Sequence, residues 1–391
     1  MTLLNAKKPA CVVARLRPSS PACRNLEKGV GGIRHRYRLV VGSSFDSRLV
    51  EVVVRNDGIC AVSRHASAWV TTRKRKRKPA GAWLTSVVFH QGSLYACQYQ
   101  KRGVLRFDGE DLAFKGVVAA GNRMSTPEGL AFAQGHMFVA SAEGGCVIMF
   151  DKDGREVAST EFTSLVPGQE PDLVPWGMAV GPDGALYVAL DQGYTPLGNN
   201  YAVPPPPCIS CGEKHRNGTI VRIELVPTIS TRSDGAASAG NGRLRFGTMT
   251  TFCEGLSRPN GMAFTEGGEL LVASLDLQVS RFAGPASPTP GAYLGVFYSL
   301  IKRNNTPRRI QARNKNNGMY YTTCPDLQCF DIHTPKHQGG VVFVSIHSGM
   351  RKGDPHHDPQ EDGLVVCDKD GREIGFIHDA CFSHPNCITG E

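Results

Sequence analysis

Apolar residues come along this chain in runs of about five, each opened by a glycine-rich polar turn, and the runs resemble one another. They read Ser93-Leu-Tyr-Ala-Cys97, His136-Met-Phe-Val-Ala140, Ala185-Leu-Tyr-Val-Ala189, Glu269-Leu-Leu-Val-Ala273 and Val341-Val-Phe-Val-Ser345. Such runs are too short for helices and too rich in β-branched and aromatic residues for loops, so each predicts a strand. Ahead of three of them stands a Pro-x-Gly element: Pro127-Glu-Gly-Leu-Ala-Phe132, Pro175-Trp-Gly-Met-Ala-Val180 and Pro259-Asn-Gly-Met-Ala-Phe264. Behind them comes a third run, as in Cys146-Val-Ile-Met-Phe150 or Gly363-Leu-Val-Val-Cys367. Two third runs lead through nearly identical turns, Asp151-Lys-Asp-Gly-Arg-Glu-Val157 and Asp368-Lys-Asp-Gly-Arg-Glu-Ile374, into a fourth.

A unit of four short strands that repeats is a propeller blade, stacked on copies of itself because it cannot bury its own apolar faces. Measured between second strands, Tyr95 to Phe138 is 43 residues, Phe138 to Tyr187 is 49, Tyr187 to Leu271 is 84 and Leu271 to Phe343 is 72. The first two intervals are ordinary blades and the last two are blades with insertions. Arg38-Leu-Val-Val-Gly42 and Leu49-Val-Glu-Val-Val53 supply the second and third strands of one more unit, making six. The chain ends on Ser383-His-Pro-Asn-Cys-Ile-Thr-Gly390, a first strand with no second strand after it. Placed as the inner strand of the unit begun by Arg38, it closes the ring and removes exposed edges. The expectation is an all-β, six-bladed β-propeller of four-stranded blades closed by N- and C-terminal strands. Residues 1–36 form an irregular basic extension, 37–391 one propeller domain, and insertions fall at about 65–82, 194–217 and 300–336.

Charge refines this picture. The chain carries a net +9, yet the acid-free first 26 residues, the run Arg73-Lys-Arg-Lys-Arg-Lys78 and the cations between Lys302 and Lys315 together hold seventeen positive charges. The propeller body is therefore acidic, at −8, and offers no broad basic face for phosphates. Nucleic acid is expected only through the 73–78 run. No apolar run reaches the ~18 residues of a spanning helix, so no membrane is expected. Thirteen cysteines without an apolar leader point to reduced thiols and an intracellular, cytoplasmic protein. The acid-free N-terminus is also compatible with organellar targeting. A monomer is expected.

Candidate chemistry sits at the variable position of Pro-x-Gly. A turn there places x at the entrance to the innermost strand, where successive blades converge on one mouth of the channel. The x residues are Glu128, Trp176, Asn260 and Asn386, with Asn317 as a displaced copy. One carboxylate and several amides supply oxygen ligands suited to calcium or another divalent cation; alternatively, they are turn residues chosen for backbone geometry. These motifs resemble the NHL repeat, and Gly255-Leu-Ser-Arg-Pro-Asn-Gly-Met-Ala-Phe264 with Leu270-Leu-Val-Ala-Ser-Leu275 resembles the SMP-30/gluconolactonase group of six-bladed propellers. That resemblance implies a metal held by a Glu, by Asn side chains and by an Asp that also acts as general base, which maps the metal ligands onto Glu128, Asn260 and Asn386. The chain departs from the group where Val-Ala-Ser-Leu stands for Val-Ala-Asp-Ser, and where Trp176 replaces a polar residue. No catalytic residue is assigned.

Two functions remain open: a propeller that binds a partner protein or small ligand at the channel mouth and loops, and a divalent-metal-dependent lactone or ester hydrolase. The Asp-Lys-Asp-Gly pairs read as tight turns, since an EF-hand loop needs its glycine at position six. Cys208 and Cys211 with His215, Cys324 and Cys329, and Asp354-Pro-His-His-Asp-Pro359 are weaker metal candidates.

Overall fold

The structure is a computed structural model. It describes residues 14–15, 36–43, 48–55, 59–67, 84–99, 102–121, 123–162, 173–192, 217–228, 243–274, 278–300, 310–313, 320–323, 327–335, 340–348, 362–377 and 385–390. These residues build six antiparallel blades in a ring. Blade one consists of Arg36–Ser43, Arg48–Arg55 and Ile59–Ser67, with Pro385–Gly390 on its inner side. Blade two is Leu84–His90, Ser93–Gln98, Gly103–Asp108 and Phe114–Ala120; blade three is Pro127–Ala133, His136–Ser141, Cys146–Phe150 and Glu156–Glu161. Blade four is Leu173–Val180, Leu186–Gln192, Asn217–Thr228 and Arg243–Ser257, and blade five is Pro259–Phe264, Leu270–Ser274, Gln278–Phe282 and Tyr293–Ser299. Blade six is Leu327–His333, Val342–Ser348, Gly363–Cys367 and Glu373–Ile377. Ala14–Arg15 adds a short strand to the outer edge of blade one, and Ile310–Arg313 pairs with Tyr320–Thr323 as a separate hairpin.

The inner strands touch in sequence all the way round. Pro385–Gly390 meets Leu84–His90, each later inner strand meets the next, and Leu327–His333 meets Pro385–Gly390 again. The C-terminal strand thus closes the ring as the hydrophobic pattern predicts, with Val40 opposite Thr389 and Val41 opposite Ile388.

Each of the six seams between blades holds its own apolar core. Within blade four, Leu186, Val188 and Leu190 face blade three while Tyr187 and Ala189 face blade five. Both faces of the second strand are buried, which is why it reads as an unbroken apolar run instead of an alternating one. The inner strand of blade six differs from the sequence pattern: Leu327–His333 lies inside the stretch assigned to an insertion and carries no Pro-x-Gly.

Candidate functional site

All six inner strands break register at the same place. In blade three Leu130 faces Val139 and Pro127 faces Ser141, so Glu128 and Gly129 together stand opposite Ala140. In blade four Trp176 and Gly177 stand opposite Ala189, and in blade five Asn260 and Gly261 stand opposite Ala273. Thr85, Phe330 and Asn386 occupy the bulge position in blades two, six and one. The Pro-x-Gly element is therefore a β-bulge within the strand, not a turn before it. A bulge residue is extra to the ladder and leaves the plane of the sheet; on the innermost strand the open side is the central channel. Proline is tolerated beside it because this strand is the inner edge of its sheet, with no neighbour on that side to require its N–H.

Steric contact explains the glycine of the motif. A Cβ on Gly129 would lie 2.3 Å from the Trp176 carbonyl oxygen, and one on Gly177 would lie 2.1 Å from that of Asn260. Neighbouring inner strands approach too closely for any side chain there. The entrance to two bulges is also strained: Thr126 and Arg258, each just before the proline, have φ of 49° and 45°. Such a conformation costs about 1–3 kcal/mol and persists only when its surroundings enforce it. For Thr126 they do, because its carbonyl accepts from Ala142 N at 3.0 Å and its Oγ1 from Glu143 N at 2.8 Å. Ser125 adds two more bonds, from its N to Ser141 Oγ at 2.9 Å and from its Oγ to Glu143 Oε2 at 2.6 Å. Glu128 is thereby presented from a rigid corner.

Glu128 is half-buried, and its carboxyl makes no hydrogen bond or ion pair among the described residues. Burial pushes its pKa well above the usual carboxylate range. Its charge reaches both Cys97 and Cys387, on two different blades. Asn260 is also half-buried, with no side-chain hydrogen bond among the described residues. Trp176 packs against the core between blades four and five. Thr85 Oγ1 donates to the Pro127 carbonyl at 2.5 Å, tying blade two to the Glu128 bulge. Asn386 shares the register of Glu128 and Asn260 on the closing strand, and its side chain lies outside the described residues. Asn317 lies outside them as well; Phe330 holds the bulge in blade six. No group of three His, Cys, Asp or Glu residues gathers as a metal cluster among the described residues.

Asp331 escapes the sequence motif. It occupies the register slot of Gly129, Gly177 and Gly261, and its two carboxylate oxygens accept from Ile332 N at 2.9 Å and from Ile388 N at 3.0 Å. Asn260 precedes Leu271 by eleven residues and Trp176 precedes Tyr187 by eleven. Counting the same distance back from Phe343 reaches Ile332, next to Asp331, and would have located this strand.

The Asp-Lys-Asp-Gly segments are tight turns. Asp151 Oδ1 accepts from Asp153 N and Arg155 N, both at 2.9 Å, and Asp368 Oδ1 from Asp370 N at 3.0 Å and Arg372 N at 2.9 Å. Backbone hydrogen bonds hold Asp151 below the usual carboxylate range. Alanine at Asp151 leaves two turn N–H groups to water and is expected to lower the urea midpoint of unfolding slightly with the slope unchanged. Cys329 is fully buried in the core between blades five and six, which excludes it as a surface metal ligand. Cys208, Cys211, His215, Cys324, 354–359 and the 73–78 run lie outside the described residues. Among the described residues no helix is long and apolar enough to cross a membrane.

No protein-family model matches the chain, and no curated protein matches it in sequence. Solved structures do. A protein of unknown function from Bacteroides caccae is 15% identical with a TM-score of 0.50, over 91% of this chain and 99% of that one. A chain of the nidogen/laminin complex is 13% identical with a TM-score of 0.50, over 90% of this chain and 98% of that one. A putative gluconolactonase is 15% identical with a TM-score of 0.46, over 76% and 79%. At such identities the two chains with a TM-score of 0.50 show a likeness of fold alone.

Proposed function

We propose that the mouth of the channel ringed by the six bulges is a binding site for a small polar ligand, with Glu128 and Asn260 as its principal contacts. The observation that carries this reading is the Glu128 carboxyl, half-buried on a rigid bulge and without a hydrogen-bonding or ionic partner among the described residues. A carboxyl that no protein group engages is open to a ligand's hydrogen-bond donor or cation, and in a partly desolvated setting that bond is stronger than in bulk water. This reading asks for no residue beyond the bulge positions of the inner strands. A screen of small polar and cationic molecules by melting temperature is expected to yield ligands that Glu128→Gln and Asn260→Ala each weaken at least about tenfold. Ligands bound equally well by both variants would move the site elsewhere.

The chemistry of the donors favours a second reading, a divalent-metal-dependent lactone or ester hydrolase. A carboxylate on the bulge of blade three and an amide on that of blade five, with Asn386 in the same register on blade one, are oxygen ligands of the kind calcium takes. Glu128, Asn260 and Asn386 would hold the ion, which when bound supplies Lewis acidity and an activated water. Asp331 is already engaged by two backbone N–H groups, and the general base is left unassigned. On this reading millimolar calcium raises the melting temperature of the protein and not that of Glu128→Gln. Free metal at a hundred times its Kd stabilises by about 2.7 kcal/mol. The absence of a shift with calcium, magnesium, manganese and zinc would sink the metal reading while leaving the ligand site intact.

A further inference from the structure

The seam where the ring closes carries two ionisable side chains turned onto one strand. Pro385–Gly390 lies between the inner strands of blades two and six. Toward blade two, Phe89 N donates to Thr389 Oγ1 at 3.4 Å, and the Cys387 thiol lies 3.9 Å from the Leu84 carbonyl. Toward blade six, Asp331 Oδ2 accepts from Ile388 N at 3.0 Å. The Asp331 backbone is itself fixed by Ser345 Oγ, which accepts from its N at 2.9 Å. His333 lies two residues on and so on the same face of the strand. Its Nε2 closes on Gly390 so tightly that a Cβ there would sit 2.7 Å away. Asp331 and His333 thus touch alternate residues of the closing strand, Ile388 and Gly390.

We propose that Asp331 and His333 form a latch on the closing strand: two ionisable side chains on one face of the inner strand of blade six hold Ile388 and Gly390, so that closure of the ring is coupled to their protonation. Burial raises Asp331 to about 7, against the opposing pull of the Ile388 and Ile332 N–H groups. Burial alone lowers His333 to about 4. The raised carboxyl stabilises closure fully below its unfolded value near 3.8, and that contribution is lost as pH rises toward 7. The lowered imidazole stabilises closure fully above 6.5, and that contribution is lost as pH falls toward 4. Between about 4 and 6.5 the two slopes cancel. Among the described residues the titratable groups near the seam include Cys329 on the same strand, Cys387 on the closing strand, Cys97 on the second strand of blade two and Glu128 on blade three. Arg38, on the strand paired with the closing one, directs its guanidinium to Glu51 and to the Gly109 and Glu110 carbonyls.

Hydrogen exchange of a peptide containing Ile388, corrected for intrinsic rates and read by mass spectrometry, tests the latch. Relative to the unmodified protein, Asp331→Asn is expected to lose at least about tenfold in protection as pH falls from 6.5 to 4, because each unit of pKa displacement is tenfold in the opening equilibrium. His333→Gln is expected to lose a similar factor in the opposite direction, as pH rises from 4 to 7. A constant offset with an unchanged pH profile in both variants would reduce the pair to ordinary packing and overturn the proposal. Should either variant fail to fold, imidazole resonances in the unmodified protein decide: His333 neutral at pH 5 supports the latch, and titration near 6.5 refutes it.

Discussion

Alanine at Gly177 is expected to destabilise the propeller by about 1–3 kcal/mol and to loosen the channel mouth at the same time. The new Cβ would lie 2.1 Å from the Asn260 carbonyl oxygen, 2.9 Å from its carbon and 3.1 Å from Gly261 Cα. All three are backbone atoms, so no rotamer change relieves the contact and the inner strands of blades four and five must separate. Gly177 is not among the glycines with positive φ, so the effect is steric and not conformational. Gly184, in the next hairpin, is the control: its φ is +77° and nothing lies within 4 Å of its Cβ position. Alanine there costs only backbone strain, about 1–2 kcal/mol, and leaves the mouth unchanged. Because Asn260 is the residue displaced, Gly177→Ala should also weaken ligands that depend on Asn260, whereas Gly184→Ala should not. Equal melting temperatures for Gly177→Ala and the unmodified protein would show that the inner strands are not packed as tightly as described.

The largest loss is expected from Tyr187→Ala, about 3–5 kcal/mol by denaturant titration. The ring is fully buried and meets Phe252 and Phe264 edge-on, each at 4.9 Å between centroids. Its hydroxyl donates to Asp183 Oδ2 at 3.1 Å, and the same oxygen accepts from Arg222 Nε at 2.7 Å. Tyr187→Phe keeps the packing and removes one hydrogen bond, so it should cost about 1 kcal/mol. The gap between the two variants measures packing in the seam between blades four and five. Burial first, and the nearby Asp183 charge second, raise the phenol well above its usual value near 10. Its contribution is therefore present below pH 10 and lost as pH rises beyond it. Tyr187→Phe should remove that alkaline loss of stability, and a loss unchanged in the variant would assign it to another group.

Asp183 belongs to the sequence's sole Pro-Asp-Gly, and the structure spends its carboxylate on Tyr187 and Arg222 at the hairpin of blade four. A short acidic motif read in isolation does not reveal whether its oxygens are already taken. The reverse holds for Asp331. Nothing in Cys329-Phe-Asp-Ile-His333 resembles the inner strands of blades three to five, because the closing strand provides Asp331 with a hydrogen-bonding partner where blades three and four need glycine for clearance. The pairing partner is 57 residues away in the chain, and no local pattern encodes it.

The amino-acid sequence by itself determined the repeat. Apolar runs buried on both faces, glycines at the hairpins and the solitary first strand after Ser383 specify four-stranded blades closed by the C-terminus, because short strands obtain burial only against copies of themselves. It also marked Glu128 and Asn260 as equivalent positions. Only the tertiary structure decided what that position is: a bulge on the inner edge, with a carboxyl held off the ladder and its neighbouring glycine wedged under the next blade. Tertiary contact likewise turned Asp331 and His333 into partners of the closing strand. Periodicity is a property of each segment alone, whereas clearance, desolvation and hydrogen-bond satisfaction arise between segments that meet only when the ring is complete.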